Sequence, residues 1–486
     1  MNTFKRKTLY AAVAGVAAIA VAGTAQAVNI SADGLGQVLI YPYYTVNANP
    51  EGQPYNTLLS IVNTTTSTKA VKVRFREGRE SVEVLDFNVF LSPLDVWTAS
   101  VTPGDVVSGT PASGVPAKIS TTDKSCTIPP FPATGVNFRG DLFVAQTGDN
   151  ALARTREGYF EVFEMATYGD LDPVAINSKH TSAGVPLDCT KVTNTAAQLA
   201  PRPPTGGLFG GEVIVNPAGG GAFSQSATAL ANFTVAANYQ TTGSVSPQYS
   251  DANPPISNVI HESTLYRSTW TNGTNAVTAV LMANALTNEY VLDPGSHSQT
   301  NWIITQPTKY AYVGASGPLA PYTTKYAAGK GACEPVFQVV LNREEGSPQV
   351  VSQDDFSPQP GPGPGPVLCW EANIIAFSNT AGGVADNNLF GSSNINYVHT
   401  PYINGWSVLA FNAPTGAAVH SFAPASTQTV DLLTGGSASA AVTYYGLPAI
   451  GFAAQTFNND ALVVGGKTYL STFGADFIHH ATKRIQ

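Results

Sequence analysis

"GQVLIYPYYTVN", residues 36–47, decides the fold. Strand alternation puts Val38, Ile40, Pro42 and Tyr44 on one side, and Leu39, Tyr41 and Tyr43 on the other. Both sides are apolar or aromatic. A strand that covers only one face of a core keeps its other face polar, so this one reads as buried on both. Pro42 has no amide hydrogen to give a ladder, which puts it at an edge, an end or a bulge. Three roles fit the run, in falling order. It is the first strand of its own sandwich. Or it is donated to the sheet edge of a neighbouring subunit, with Tyr41, Tyr43 and Tyr44 as the assembly residues. Or it is an aromatic ligand face.

The rest of the chain repeats the strand signal. In "AVKVRFREG" (70–78), Val71, Val73 and Phe75 alternate with Lys72, Arg74 and Arg76, the pattern of a half-buried strand. "VEVLDFNVFLSP" (82–93) places Leu85, Phe87, Val89 and Leu91 at period two, with Val82 and Val84 out of phase, so a bulge is expected near residue 84. "TLLSIVNTT" (57–65), "GYFEVFEMATYG" (158–169) and "PVFQVVLNREEG" (335–346) also read as strands. Helical patterns are scarce, and "SATALANFTVAAN" (226–238) is the best short candidate.

These signals predict an all-β protein of two β-sandwich modules, immunoglobulin-like or jelly-roll in type, with long loops and few short helices. The expected division is a leader over 1–27, an N-terminal module over 28–250 and a C-terminal module over 251–486. An internal echo supports it. "FLSPLDVWTASVTP" (90–103) and "VLDPGSHSQTNWIITQP" (291–307) each end one strand in Leu-x-Pro, turn, and start a Trp-led strand that ends at proline. "FSPQPGPGPGPVLCWE" (356–371) reads as a stiff, polyproline-like excursion clipped at its base rather than a linker.

Residues 1–27 have the layout of a cleaved secretory signal. Lys5, Arg6 and Lys7 precede an apolar stretch from Leu9 to Gly23, and Ala25-Gln26-Ala27 is the small-x-small cleavage pattern. No later run reaches the 18 or so apolar residues of a transmembrane anchor. Loss of the leader lowers Lys+Arg from 24 to 21 against 32 Asp+Glu, and the net charge moves from −8 to −11. Such an acidic chain argues against nucleic acid and anionic membrane surfaces as partners. Cys126, Cys189, Cys333 and Cys369 all lie in the expected exported part, where thiols oxidise. Of the three pairings, Cys126–Cys189 and Cys333–Cys369 are preferred, because each closes a loop within one half of the chain.

Chemical motifs are few. No Gly-x-Ser-x-Gly elbow occurs, and "AAGKGA" (327–332) lacks parts of a phosphate loop. His261 in "HESTL" has no second histidine of a zinc helix, and His479 and His480 read as a frayed tail. Asp170 and Asp172 are a weak calcium candidate without the full ligand set. Arg139-Gly140-Asp141 matches an adhesive tripeptide but runs into an apolar strand that is expected to hide it. Glu161 and Glu164 fall on opposite strand faces, which does not suit paired-carboxylate chemistry. Trp97, Trp270, Trp302, Trp370 and Trp406 are candidate sugar-stacking residues, although the echoed positions of Trp97 and Trp302 favour core roles. No cofactor is expected.

At "GLGQVLIYPYYT" (34–45), "NTLLSIVNTT" (56–65), "NWIITQPTK" (301–309) and "YGLPAIGFAAQTF" (445–457) the chain resembles a loosely defined group of exported Gram-negative bacterial proteins. The resemblance spans most of the mature chain. It implies a periplasmic or surface location and transfers no catalytic residue. The expectation is therefore an exported, non-enzymatic structural or surface-associated protein, self-assembling or bound to other surface proteins. The alternative is a carbohydrate-binding or carbohydrate-active protein with glycan partners.

Overall fold

The computed structural model describes residues 26–108, 114–143, 151–344, 346, 349–350, 367–379, 387–413, 418–458, 462–469 and 472–486. The expected leader up to residue 25 and the Gly-Pro excursion up to residue 366 lie outside them.

The chain is all-β, with a few short helices. One sandwich faces a seven-stranded sheet with a six-stranded one. The seven run in the spatial order Asn29–Ile30, Thr228–Ala231, Val38–Thr45, Glu157–Tyr168, Thr68–Glu77, Glu83–Leu91 and Cys126–Ile128. The six run Ala222–Ser226, Leu208–Val215, Asn56–Asn63, Val96–Pro103, Ala117–Ser120 and Val136–Asn137. Between them Leu39, Tyr41, Val73, Phe75 and Phe160 meet Ile61, Trp97 and Val101.

A second sandwich faces two five-stranded sheets. One is centred on Asn404–Ala410 and Ala285–Val291, the other on Gln299–Thr305. Tyr290, Trp302, Phe377 and Leu409 fill it. Pairing among the long strands is antiparallel except between Ala372–Ser378 and Ile395–His399. A four-stranded sheet (Ile256–His261, Thr264–Thr269, Ser426–Asp431, Ser437–Ala440) and the buried helix Gly273–Leu281 complete the core. Asn272 caps that helix by accepting from the Asn275 amide, 2.9 Å away. The echoed segments hold corresponding places. Glu83–Leu91 to Val96–Pro103, and Ala285–Val291 to Gln299–Thr305, each carry the chain from one sheet of a sandwich to the other.

The opening strand ties the interior together. All eight residues of Val38–Thr45 are buried. Leu39, Tyr41 and Tyr44 enter the first sandwich's core, and Tyr41 stacks on Phe160 with ring centres 4.0 Å apart. Val38 and Ile40 enter the core of the second, beside Val277 and Trp302. Tyr43 joins a third cluster between the sandwiches, with Phe223, Ile303 and Phe452. The expected alternation breaks at Pro42. Opposite it, the register of Glu157–Tyr168 jumps from Tyr44 at Gly158 to Tyr41 at Phe160. The bulge exchanges the faces of Tyr43 and Tyr44, and proline, which cannot donate to the ladder, sits inside it. Thr305 donates to the Pro42 carbonyl (2.6 Å), the Tyr43 amide to Glu212 (3.3 Å) and the Tyr43 hydroxyl to Glu157 (2.8 Å).

Other expectations fare variously. The bulge near residue 84 is present: Phe75 pairs Leu85 and Arg76 pairs Glu83, which skips Val84. Both preferred disulfides form. The strand Thr68–Glu77 is not half-buried; all ten residues are inside. Its charged side is answered by Asp86 for Lys72 (2.6 Å), Glu83 for Arg74 (2.7 Å) and Glu161 for Arg76 (3.0 Å). Carbonyls of Thr241, Ser244 and Pro247 close over it. The expected helix over 226–238 is instead the strand Thr228–Ala231, because the edge of Val38–Thr45 offers it a ladder.

Double-sided burial makes the opening strand essential to the monomer. Removing residues 28–46 is predicted to abolish folding, and Ile40→Ala to cost about 2–5 kcal/mol in urea denaturation. A soluble, folded deletion variant that merely fails to assemble contradicts this and restores the donated-strand role.

Candidate functional site

Where Thr68–Glu77 ends, the chain turns around a carboxylate. Glu77 accepts from the amides of Arg79 (2.9 Å), Glu80 (2.8 Å) and Val82 (3.1 Å). Arg154 spans Glu77 (3.1 Å) and Glu80 (2.9 Å). Burial still raises the Glu80 carboxyl above its ordinary range against the pull of Arg154.

The second sandwich brings its own charges to this turn. Lys309 follows the strand Gln299–Thr305, is fully buried, and donates to the carbonyls of Leu368 (3.1 Å) and Trp370 (3.2 Å). Burial pushes its ammonium down to about 8, with Glu371 and Glu334 opposing. Glu371 precedes the strand Ala372–Ser378. Burial raises its carboxyl well above the ordinary range, and Lys309 offsets this only in part. The Cys333–Cys369 disulfide closes the chain beside these groups.

A cleft of about 860 Å³ opens over them, walled by Arg76, Glu80, Tyr310, Lys325, Tyr326 and Glu371. A depression of about 540 Å³, lined by Pro129, Phe131, Arg139 and Asp141, adjoins it across Glu83, Leu142 and Gly243. Arg76 lies 4.7 Å over the Tyr310 ring, which fixes that wall.

Ser92, Asp95 and His180 gather, but Ser92 Oγ (3.3 Å) and Asp95 Oδ2 (3.5 Å) both face Nδ1 of His180. A relay needs the serine on one ring nitrogen and the acid on the other, so this trio is a turn and not a triad. Both ring nitrogens of His420 face backbone carbonyls, Pro321 at 3.0 Å and Pro335 at 3.1 Å, a buried structural arrangement. His479 corrects the frayed-tail expectation. It is buried, its Nε2 donates to Ile303 O (3.0 Å), Asn288 donates to its Nδ1 (3.1 Å), and its ring packs on Trp302. The following residues His480–Thr482 pair with Ala285–Thr287, which locks the terminus.

The residues singled out in the sequence do not converge. Tyr41, Tyr43 and Tyr44 are interior. Asp172 accepts from the Gly169 amide and lies 3.6 Å from Arg202, and among the described residues no group of three or more His, Cys, Asp or Glu is placed to hold a metal ion. Arg139 and Asp141 are exposed and paired with each other in a turn, not hidden by a strand as expected. Glu161 and Glu164 are occupied by Arg76 and by Lys69 (2.6 Å). His261 ends the strand Ile256–His261 at a hairpin. Trp97, Trp270 and Trp302 are buried, Trp370 is half-buried beneath Arg79, and Trp406 is 40% exposed. Sequence reasoning passed over Lys309 and Glu371. The one signal was a lone charge beside an apolar strand, in "IITQPTK" and "WEANIIAF".

One further surface is chemically open. Ser437–Ala440 is the outer strand of the four-stranded sheet and is largely exposed. The Asp431 amide bonds Gly436, so Ala438 and Ala440 are the inward-bonded partners of Thr429 and Thr427. The amides of Ser437 and Ser439 face outward. The strand carries no charge and no proline.

No helix among the described residues is long and apolar enough to cross a membrane. Compared with known proteins, the chain matches no protein-family model, no curated protein and no solved structure.

His479 sets a pH dependence. Burial holds its imidazole down to about 4, below the ordinary 6.5. The unfolded chain takes up a proton before the folded one does, so this stabilisation is full above pH 6.5 and is lost as pH falls toward 4. The loss is at most about 3 kcal/mol. His479→Gln is expected to flatten the stability profile over that window in urea titrations. An unchanged slope contradicts the assignment.

Proposed function

We propose that the protein is an exported, non-enzymatic structural component of the cell exterior that joins copies of itself into a layer, matrix or filament. The observation that carries this reading is the open edge at Ser437–Ala440. An open strand edge is a template for another strand, and proteins that stay monomeric blunt such edges by keeping them very short or with lysine, proline or bulges; at four residues this edge is short, and it has none of the other devices. This one keeps small neutral residues and a row of outward amides and carbonyls. Strand addition from a second copy supplies the missing partners. The two disulfides support passage through an oxidising compartment. In this reading the open edge, and not the N-terminal strand buried in the monomer's own core, is the assembly element.

The test is the size of the purified mature chain, by light scattering and electron microscopy. Wild type is expected to form concentration-dependent assemblies. Ser439→Pro removes an outward amide, and Ser439→Lys adds edge charge; each is expected to leave monomers of unchanged melting temperature. Wild type that stays monomeric at high concentration, or assemblies unaffected by either variant, overturns the reading.

A further inference from the structure

The cleft between the sandwiches holds a group that the fold leaves unanswered. Glu371 lines the cleft, is 1% exposed, and its Oε2 has no hydrogen-bond partner among the described residues. A buried polar atom left unpaired costs about 1–3 kcal/mol, a cost that a ligand hydroxyl bonded to it offsets. Burial favours the uncharged form of this carboxyl, and in that form it offers one hydroxyl donor together with acceptor oxygen.

The surroundings narrow the ligand. Three of the charges on the walls are matched within the protein: Arg76 by Glu161, Glu80 by Arg154 and Glu83 by Arg74. An anion entering the cleft meets Glu80 and Glu83; a cation meets Arg76 and Lys325. A neutral ligand rich in hydroxyls meets neither penalty and finds donors and acceptors on every side. The Tyr326 ring on the wall adds an apolar surface of the kind that packs on the C–H side of a sugar ring. The volume, about 860 Å³, is that of a small-ligand pocket.

We infer that the cleft between the two sandwiches binds a short neutral oligosaccharide, with the Glu371 carboxyl hydrogen-bonded to one of its hydroxyls. This site is separate from the assembly edge, and neither requires the other.

The test is calorimetric titration of the full mature chain with maltotriose, cellotriose and tri-N-acetylchitotriose, with trigalacturonate and the chitosan trisaccharide as charged counterparts. At least one neutral trisaccharide is expected to bind saturably and more tightly than both charged ones. Glu371→Gln keeps a donor and an acceptor and is expected to hold affinity within about threefold, whereas Glu371→Leu weakens it about tenfold or more. Val245, 72% exposed on the cleft wall, gives a variant that does not depend on the interior: Val245→Trp narrows the cleft and is expected to cost about tenfold as well. Absence of binding by all three neutral sugars overturns the inference. So does tighter binding of a charged one, or wild-type affinity in Val245→Trp, which places the sugar elsewhere.

Discussion

The structure depends on one constraint: the strands Val38–Thr45 and Glu157–Tyr168 are covered on both faces. An antiparallel sheet that packs on one side only leaves its other side to water. Here a six-stranded sheet covers one side and the second sandwich covers the other. The bulge at Pro42 lets a single strand serve both. It turns Tyr44 toward the first core and Tyr43 toward the junction, and it frees the Pro42 carbonyl to accept from Thr305 of the second sandwich and the Tyr43 amide to donate to Glu212 of the facing sheet. The second sandwich is built on the first at this point. Tyr159 donates to the Pro307 carbonyl, the Ala372 amide to Gly78, and Ser393 to Glu157.

Covering a sheet twice has an electrostatic consequence. The strand Thr68–Glu77 carries its cations into the interior, where each needs a carboxylate and backbone carbonyls to offset desolvation. Asp86, Glu83 and Glu161 supply the charge, and the chain from Thr241 to Pro247 supplies the carbonyls. The pairs are self-contained, so they fix geometry and attract no outside charge. Glu371 lies close enough to Lys309 to feel it, and one of its oxygens is unmatched among the described residues, as is one oxygen of Glu161. What sets Glu371 apart is its place: it lines the cleft, and Glu161 does not.

Much of the architecture was legible because it rests on local pattern. Period-two alternation gave the strands and the bulge at Val84. Apolarity on both faces gave the burial of residues 38–45. Cysteine spacing gave both bridges. The readings that missed each turned on a partner far away in the chain. Lys72, Arg74 and Arg76 look solvent-facing until a segment some 170 residues on folds over them. Residues 226–238 have helical composition, and the open side of Val38–Thr45 overrides it. His479 looks like a tail residue until Ile303 and Asn288 claim it. The cleft was least legible of all, because its walls come from both sandwiches and its groups share no spacing motif.

The central claim is that the two sandwiches share one interior through the strand at Pro42. Native-state hydrogen exchange on the mature chain tests this most directly, by comparing the slowest amides of Val38–Thr45 with those of Gln299–Thr305. The account predicts that both sets exchange through one global opening, with equal free energies and the same denaturant dependence. If the amides of Gln299–Thr305 open at a distinctly lower free energy while Val38–Thr45 stays protected, the interior is divided and the claim fails.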